Sequence, residues 1–122
     1  MFLPIQTAIE QANKSDYHYR IGAVIFDKKR ILSTGYNKAH STKKKLHPKF
    51  RKWETSIHAE AMAILNAKCD LKGKSILIVR MNAGNNLNAI TPCEHCMSYL
   101  QYVGIKNVYY SDENGNIQLM KI

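Results

Sequence analysis

The sequence predicts one α/β domain over residues 1–122, a mixed five-stranded sheet with helices packed on it. Three observations carry that prediction. At 122 residues the chain has the length of a single domain with its own core. Its apolar pattern switches period in the order α-β-β-(long loop)-α-β-α-β-β. The last connection, "DENGN", is too short for a crossover, so the final strand should run antiparallel to the one before it.

Each element has its own signal. "FLPIQTAIEQANK" places Ile5, Ala8, Ile9 and Ala12 at helical spacing, with Pro4 tolerable in a first turn. "YRIGAVIF" and "ILSTGY" flank "DKKR" and read as a hairpin. Residues 37–56 read as a loop long enough to suggest a functional role. "IHAEAMAILNAK" is rich in helix formers. "DLKGK" turns the chain into "SILIVRM", a nearly continuous apolar run expected of a strand buried on both faces. "NAGNNLNAI" reads as loop. "PCEHCMSYLQYVG" has Pro at a helix start and Gly just past its end. "KNVYYS" and "IQLMKI" are strands. The connections across residues 57–103 should be right-handed crossovers between parallel strands.

Composition narrows the class. Apolar content of 45% and charged content of 22% fit a soluble globular protein. No run approaches the ~20 apolar residues of a membrane span, and the N-terminus lacks a signal-peptide pattern, so a cytoplasmic protein with no membrane partner is expected. The three cysteines, Cys69, Cys93 and Cys96, argue against a disulfide framework. The formal charge of +9 is uneven. Residues 38–53, "KAHSTKKKLHPKFRKW", carry seven of the 18 basic residues and no acidic one. That segment suggests a phosphate-bearing partner; a solvated, mobile loop is the plainer reading.

One constellation carries chemistry. His58, Cys93 and Cys96 are the residue types zinc prefers, and three protein ligands leave a fourth tetrahedral position open. Cys93 and Cys96, three apart at a helix start, share a face, and His58 stands at the entrance of its own helix. Glu60 is then an acid–base group beside the open position. Ideal helical spacing puts residues i and i+2 about 200° apart, so the helix entrance must supply the geometry that brings Glu60 to His58. A redox C-x-x-C pair and a closed structural zinc site compete with this reading. The closed site would need His95, which lies between the cysteines and should point away from their face. His18, His40 and His47 read as surface residues, Cys69 as packed or exposed, and Tyr17, Tyr19, Tyr109 and Tyr110 as sheet packing.

H-A-E at 58–60 with P-C-E-H-C at 92–96 resembles the H-x-E…P-C-x-x-C signature of zinc-dependent nucleobase deaminases, the cytidine/deoxycytidylate deaminase superfamily. "GAVIFDKKRILSTGYN" is similar to the first hairpin of deoxycytidylate and tRNA adenosine deaminases, and "GIKNVYYS" to the strand after the C-x-x-C helix. The resemblance runs from about Gly22 to Ser111. It implies a three-layer α/β/α cytidine-deaminase-like fold with helices on both faces of the sheet. It also implies one Zn2+ per chain on His58, Cys93 and Cys96, with Glu60 as the proton shuttle. Asn37 would contact the sugar, the backbone near Ala59 and Thr91 the base edge, and Pro92 would shape the turn before Cys93. The short "DENGN" link departs from deoxycytidylate and tRNA adenosine deaminases, which carry a helix there. An antiparallel last strand is similar to the free-nucleoside branch, which usually has cysteine at the position of His58.

The leading expectation is a deaminase that converts a cytosine nucleoside or nucleotide, deoxycytidylate first, to the uracil product with release of ammonia. One alternative is a cytosine or adenosine deaminase of single-stranded DNA or RNA that uses the basic 38–53 loop, with Trp53 or Phe50 stacking a base. Another is a zinc-stabilised nucleic-acid-binding module without turnover. A homo-oligomer is expected: "IQLMKI" offers an edge for a second copy, although Lys121 would blunt it.

Overall fold

The computed structural model describes residues 2–16, 19–39, 56–90 and 92–122. Helix α1 (Ile5–Ala12) is followed by strands β1 (Arg20–Asp27), β2 (Arg30–Tyr36), β3 (Lys38–Ala39) and β4 (Ser56–Ile57). Helix α2 (Ala59–Asn66), β5 (Ser75–Met81), β6 (Leu87–Asn88), α3 (Glu94–Tyr102), β7 (Asn107–Ser111) and β8 (Ile117–Lys121) complete the chain. The main sheet has the order β2-β1-β5-β7-β8. β5 and β7 are parallel, and the β1–β2, β1–β5 and β7–β8 pairs are antiparallel, so the last strand runs as its short link requires. None of the described helices is long and apolar enough to cross a membrane.

Alternation along the central strands builds two cores. Val24, Phe26, Leu77, Val79 and Tyr109 face α1, with Ala8 and Ala12 beneath them. Ala23, Ile25, Ile76, Ile78 and Val108 face the other way, onto Ala59, Ala61, Tyr99 and Leu100 of α2 and α3. The run "SILIVRM" is apolar because successive side chains enter opposite cores. This is the three-layer arrangement, with α1 on one face and α2 and α3 on the other.

Two glycines let helices approach this sheet closely. A Cβ on Gly22 would lie 2.1 Å from the Ala8 carbonyl oxygen and 2.6 Å from the Ala12 nitrogen. One on Gly35 would lie 2.5 Å from both the Ala59 carbonyl oxygen and the Ala63 nitrogen. The obstructing atoms are backbone, so α2 must move bodily to admit a methyl group. Gly35→Ala is therefore expected to destabilise by about 1–3 kcal/mol, read as a lower urea midpoint at unchanged m-value. An unchanged midpoint would show that α2 is not seated on β2 as described.

Three local expectations change. "NAGNNLNAI" contains β6, which pairs Leu87 with Met81 and Asn88 with Arg80. β5 pairs with β7 over Ser75–Ile78 and with β6 at its last two residues, so the insertion widens the sheet where β7 no longer reaches. The turn that makes this possible is built by Asn82, whose Oδ1 accepts from the N–H groups of Gly84 and Asn86. Helix α2 starts at Ala59, not at Ile57, which pairs with Lys38 in β4. Pro4 caps α1 and stands outside its first turn. The long loop begins and ends in the β3–β4 pair; residues 40–55, most of the basic segment, lie outside the described residues.

Candidate metal centre and its flank

His58 is the N-cap of α2, with extended φ −78° and ψ 154°, and its carbonyl accepts from Met62 N–H. It therefore lies off the helical wheel, which removes the 200° separation from Glu60. Cys93 is the N-cap of α3, and its Sγ accepts from Cys96 N–H at 3.3 Å. Pro92 is buried just before it. A cap residue projects its side chain over the first turn. Here that brings Cys93 over Cys96 and lets α2 and α3 meet at their N-terminal ends.

His58 Nδ1 lies 3.3 Å from Cys96 Sγ and 3.8 Å from Cys93 Sγ. All three candidate ligand atoms fall within 4.8 Å of one another. Tetrahedral zinc with Zn–S ≈ 2.3 Å and Zn–N ≈ 2.0–2.1 Å separates N from S by about 3.6 Å. The observed pair of distances brackets that value, so the donor set fits zinc in both type and spacing. It is also the group of three or more such donors found among the described residues, and His95 is not part of it. Cys69 is exposed and takes no part.

Electrostatics point the same way. The Cys93 thiol is held down to about 3 by its hydrogen bond with Cys96, helped by His58 and opposed by burial. The Cys96 thiol is pushed well up, first by the same hydrogen bond and then by burial and the Glu60 charge. The hydrogen bond between the two sulfurs thus shifts them in opposite directions, Cys93 toward thiolate and Cys96 toward thiol. A divalent cation is what allows both to be thiolates.

Glu60 is 4% exposed. Burial raises its carboxyl above the ordinary value; a backbone hydrogen bond, the His58 charge and a hydrogen bond with Cys96 oppose the rise. A buried carboxylate thus hydrogen-bonds with Cys96 of the cluster without being one of its three candidate donors.

The other sequence-predicted positions are less directly tied to the centre. Ala59 is fully buried and opens α2, where a helix N–H has no intrahelical acceptor. Asn37 is buried, and its side chain is held by β1: Oδ1 accepts from Ile21 N–H at 2.9 Å and Nδ2 donates to the Tyr19 carbonyl at 2.6 Å. Among the described residues these two bonds use one amide hydrogen and one lone pair of the side chain. Thr91 lies outside the described residues.

One residue escaped the sequence reading. Arg80 interrupts the apolar run of β5 one residue before its end, and its guanidinium carbon stands 4.1 Å from the centroid of the Tyr19 ring. Its Nη1 donates to the Ala89 carbonyl at 3.3 Å. The available signal was a lone arginine inside "SILIVRM". Tyr19, expected as sheet packing, is 54% exposed and covers that arginine.

A family model described as "Cytidine and deoxycytidylate deaminase zinc-binding region" matches residues 4–112. The chain belongs to this family. Among curated relatives of this deaminase-family chain, an uncharacterised deaminase of the luxG 3′ region of Aliivibrio fischeri is 32% identical over 97 residues. That match covers 77% of the chain but only 59% of the relative's length. The cytidine deaminase of Burkholderia pseudomallei shares the fold at a TM-score of 0.64, with 16% identity over 96% of this chain and 88% of that one. The apo dCMP deaminase of cyanophage S-TIM5 does so at 0.59, with 18% identity over 92% and 86%.

Proposed function

We propose that the chain is a zinc-dependent hydrolytic deaminase that converts a cytosine nucleoside or nucleotide, deoxycytidylate first among them, to the uracil product and ammonia. The observation that carries this is Glu60: a buried carboxylate against a three-ligand centre, with family membership in support. A zinc ion held by His58, Cys93 and Cys96 would supply a water whose pKa falls to about 7.

The protein's own part is proton handling and placement. Glu60 takes the proton of the attacking water as the C4–O bond forms, and delivers it to the ring nitrogen beside C4. A second proton passes from the new hydroxyl through Glu60 to the exocyclic amine. The C4–N bond then breaks, ammonia leaves and a carbonyl remains. Burial suits the task, since a carboxyl raised toward neutrality can both accept and return a proton. Asn37 is assigned to the sugar, the backbone of Ala59 and Thr91 to the base edge, and Pro92 to the turn that presents Cys93.

Ammonia release from base, nucleoside, monophosphate and single-stranded oligonucleotide, each with cytosine, adenine or guanine, tests the reading. Release from a cytosine nucleoside or nucleotide is expected. The charge of residues 38–53 favours the competing polynucleotide reading. Uracil formed in an oligonucleotide, with none from free nucleotides and a rate falling steeply with salt, would install that reading instead. Silence toward every compound would leave a zinc-stabilised binding module.

A further inference from the structure

Shortly before Cys93 the chain is held by a serine from another strand. Pairing between β5 and β7 ends at Ile78 with Tyr110, and β6 takes over with Asn88 against Arg80. Ser111, the last residue of β7, sits at that junction with no exposed surface. Its Oγ accepts from the Arg80 N–H at 3.2 Å and donates to the Asn88 carbonyl at 2.7 Å. One hydroxyl thus bridges the two residues that pair across β5 and β6, with its proton and a lone pair both used. The Ser111 carbonyl in turn accepts from the Ile90 N–H at 3.0 Å.

The backbone of residues 88–90 is therefore accounted for group by group. The Asn88 carbonyl accepts from Ser111 Oγ, the Ala89 N–H donates to Asn88 Oδ1, the Ala89 carbonyl accepts from Arg80 Nη1, and the Ile90 N–H donates to the Ser111 carbonyl. Ser111 holds both ends of this segment, through its side chain and its main chain, and Arg80 holds the middle. The Ile90 side chain packs on the core shared with α2 and α3, so the segment is pinned on two sides.

Cys93 depends on that anchorage. It is a cap with an extended ψ of 160°, outside the helical turn that it precedes. From its carboxyl side it is tied to α3 by the Met97 N–H on its carbonyl and the Cys96 N–H on its sulfur. From its amino side it follows Ile90 by three residues, a reach of at most ~10 Å, and the buried Pro92 fixes one φ of that step. Cys96 is embedded in the core, whereas Cys93 is exposed and packing does not hold it.

We infer that Ser111 is a positioning residue for the metal centre: by clamping residues 88 and 90 it fixes the segment that delivers Cys93, and so governs how firmly the centre holds zinc. It acts through the chain and not on the ion. The inference rests on the His58–Cys93–Cys96 reading of the zinc site and is independent of which base or nucleotide is the substrate.

The test challenges zinc-loaded protein with a chromophoric chelator and follows the rate of zinc release. Ser111→Ala removes the bridge and leaves a buried N–H and a buried carbonyl without it. Zinc should leave about 10-fold faster, the lower end of what outer partners of metal ligands contribute. Ser111→Thr keeps the hydroxyl and should release zinc close to the wild-type rate. Ser75→Ala controls for a general loss of stability, because Ser75 Oγ accepts from Asn107 Nδ2 at 3.3 Å on the same two strands at their opposite end. It should hold zinc as the wild type does. Release at the wild-type rate from Ser111→Ala would overturn the inference, and so would equal acceleration in Ser75→Ala. A second readout needs no substitution: the Ile90 amide of the zinc-loaded wild type should be strongly protected from hydrogen exchange, and exchange at the rate of an open amide would overturn the clamp. Should Ser111→Ala not fold, that measurement and Arg80→Gln decide. Arg80→Gln frees the middle of the same segment and should also release zinc faster; an unchanged rate there would count against the segment's role. A wild type that takes up no zinc would remove the metal-centre reading and the inference with it, whereas the other failures leave the centre standing.

Discussion

Glu60→Gln is expected to lower kcat roughly 10³-fold, within the range of general acid–base catalysis, while zinc content and fold persist. Glutamine keeps the volume and one carbonyl acceptor of the glutamate, so the packing around a residue 4% exposed is preserved. It cannot carry a proton between water, ring and amine. The three candidate ligand atoms belong to other residues, so metal content should stay near that of the wild type. Turnover at the wild-type rate would sink the proposed proton path.

The same substitution has a stability signature of the opposite sign. Burial raises the Glu60 carboxyl in the folded protein, so between its unfolded and folded values the folded state binds more proton than the unfolded one. Stability conferred by the protonated form is full below the unfolded value and is lost as pH rises through the folded value. Glu60→Gln removes that loss. The metal-free variant should melt at or above the wild type at pH 8, with the difference closing toward acid. A variant inactive and also markedly less stable at pH 8 would point to a structural role for the carboxylate.

What could be read from the sequence follows from what each signal depends on. "SILIVRM" announced a strand buried on both faces because alternation sends every residue into one core or the other. The antiparallel β8 followed from a link too short to cross the sheet. β6 was hidden because its two residues acquire strand character only by lying beside the end of β5. The His58–Cys93–Cys96 cluster was legible because residue type and spacing are local properties. The approach of Glu60 was legible only as a demand on the helix entrance, since ideal helical spacing places it about 200° from His58. The resolution is that His58 is a cap with extended backbone, a boundary no periodicity specifies. Gly22 and Gly35 carried no sequence signal of their own, because the helices that need them are distant in the chain. Arg80 showed only as a charge in an apolar run, and its significance depends on Tyr19 and Ala89.

Cys96→Ser is expected to lose zinc and, with it, both activity and thermal stability. Cys96 is 1% exposed, and its Sγ is the nearer of the two sulfurs to His58 Nδ1. A serine hydroxyl at that place is a hard, protonated donor, and the loss of a soft thiolate should weaken zinc by roughly 100-fold or more. Zinc that binds the folded chain and not the unfolded one would contribute about 4 kcal/mol at 1,000 times Kd. The wild type should therefore gain a large melting increment with zinc and forfeit it to a chelator. Cys96→Ser should melt alike with and without the metal. Cys93→Ser tests the same geometry from the exposed side, where no core packing is disturbed. If it too sheds the metal, the loss comes from the ligand and not from a damaged core. One equivalent of zinc retained after dialysis of either variant would contradict the His58–Cys93–Cys96 set. A wild type that binds no zinc and instead forms a Cys93–Cys96 disulfide would return the pair to redox chemistry.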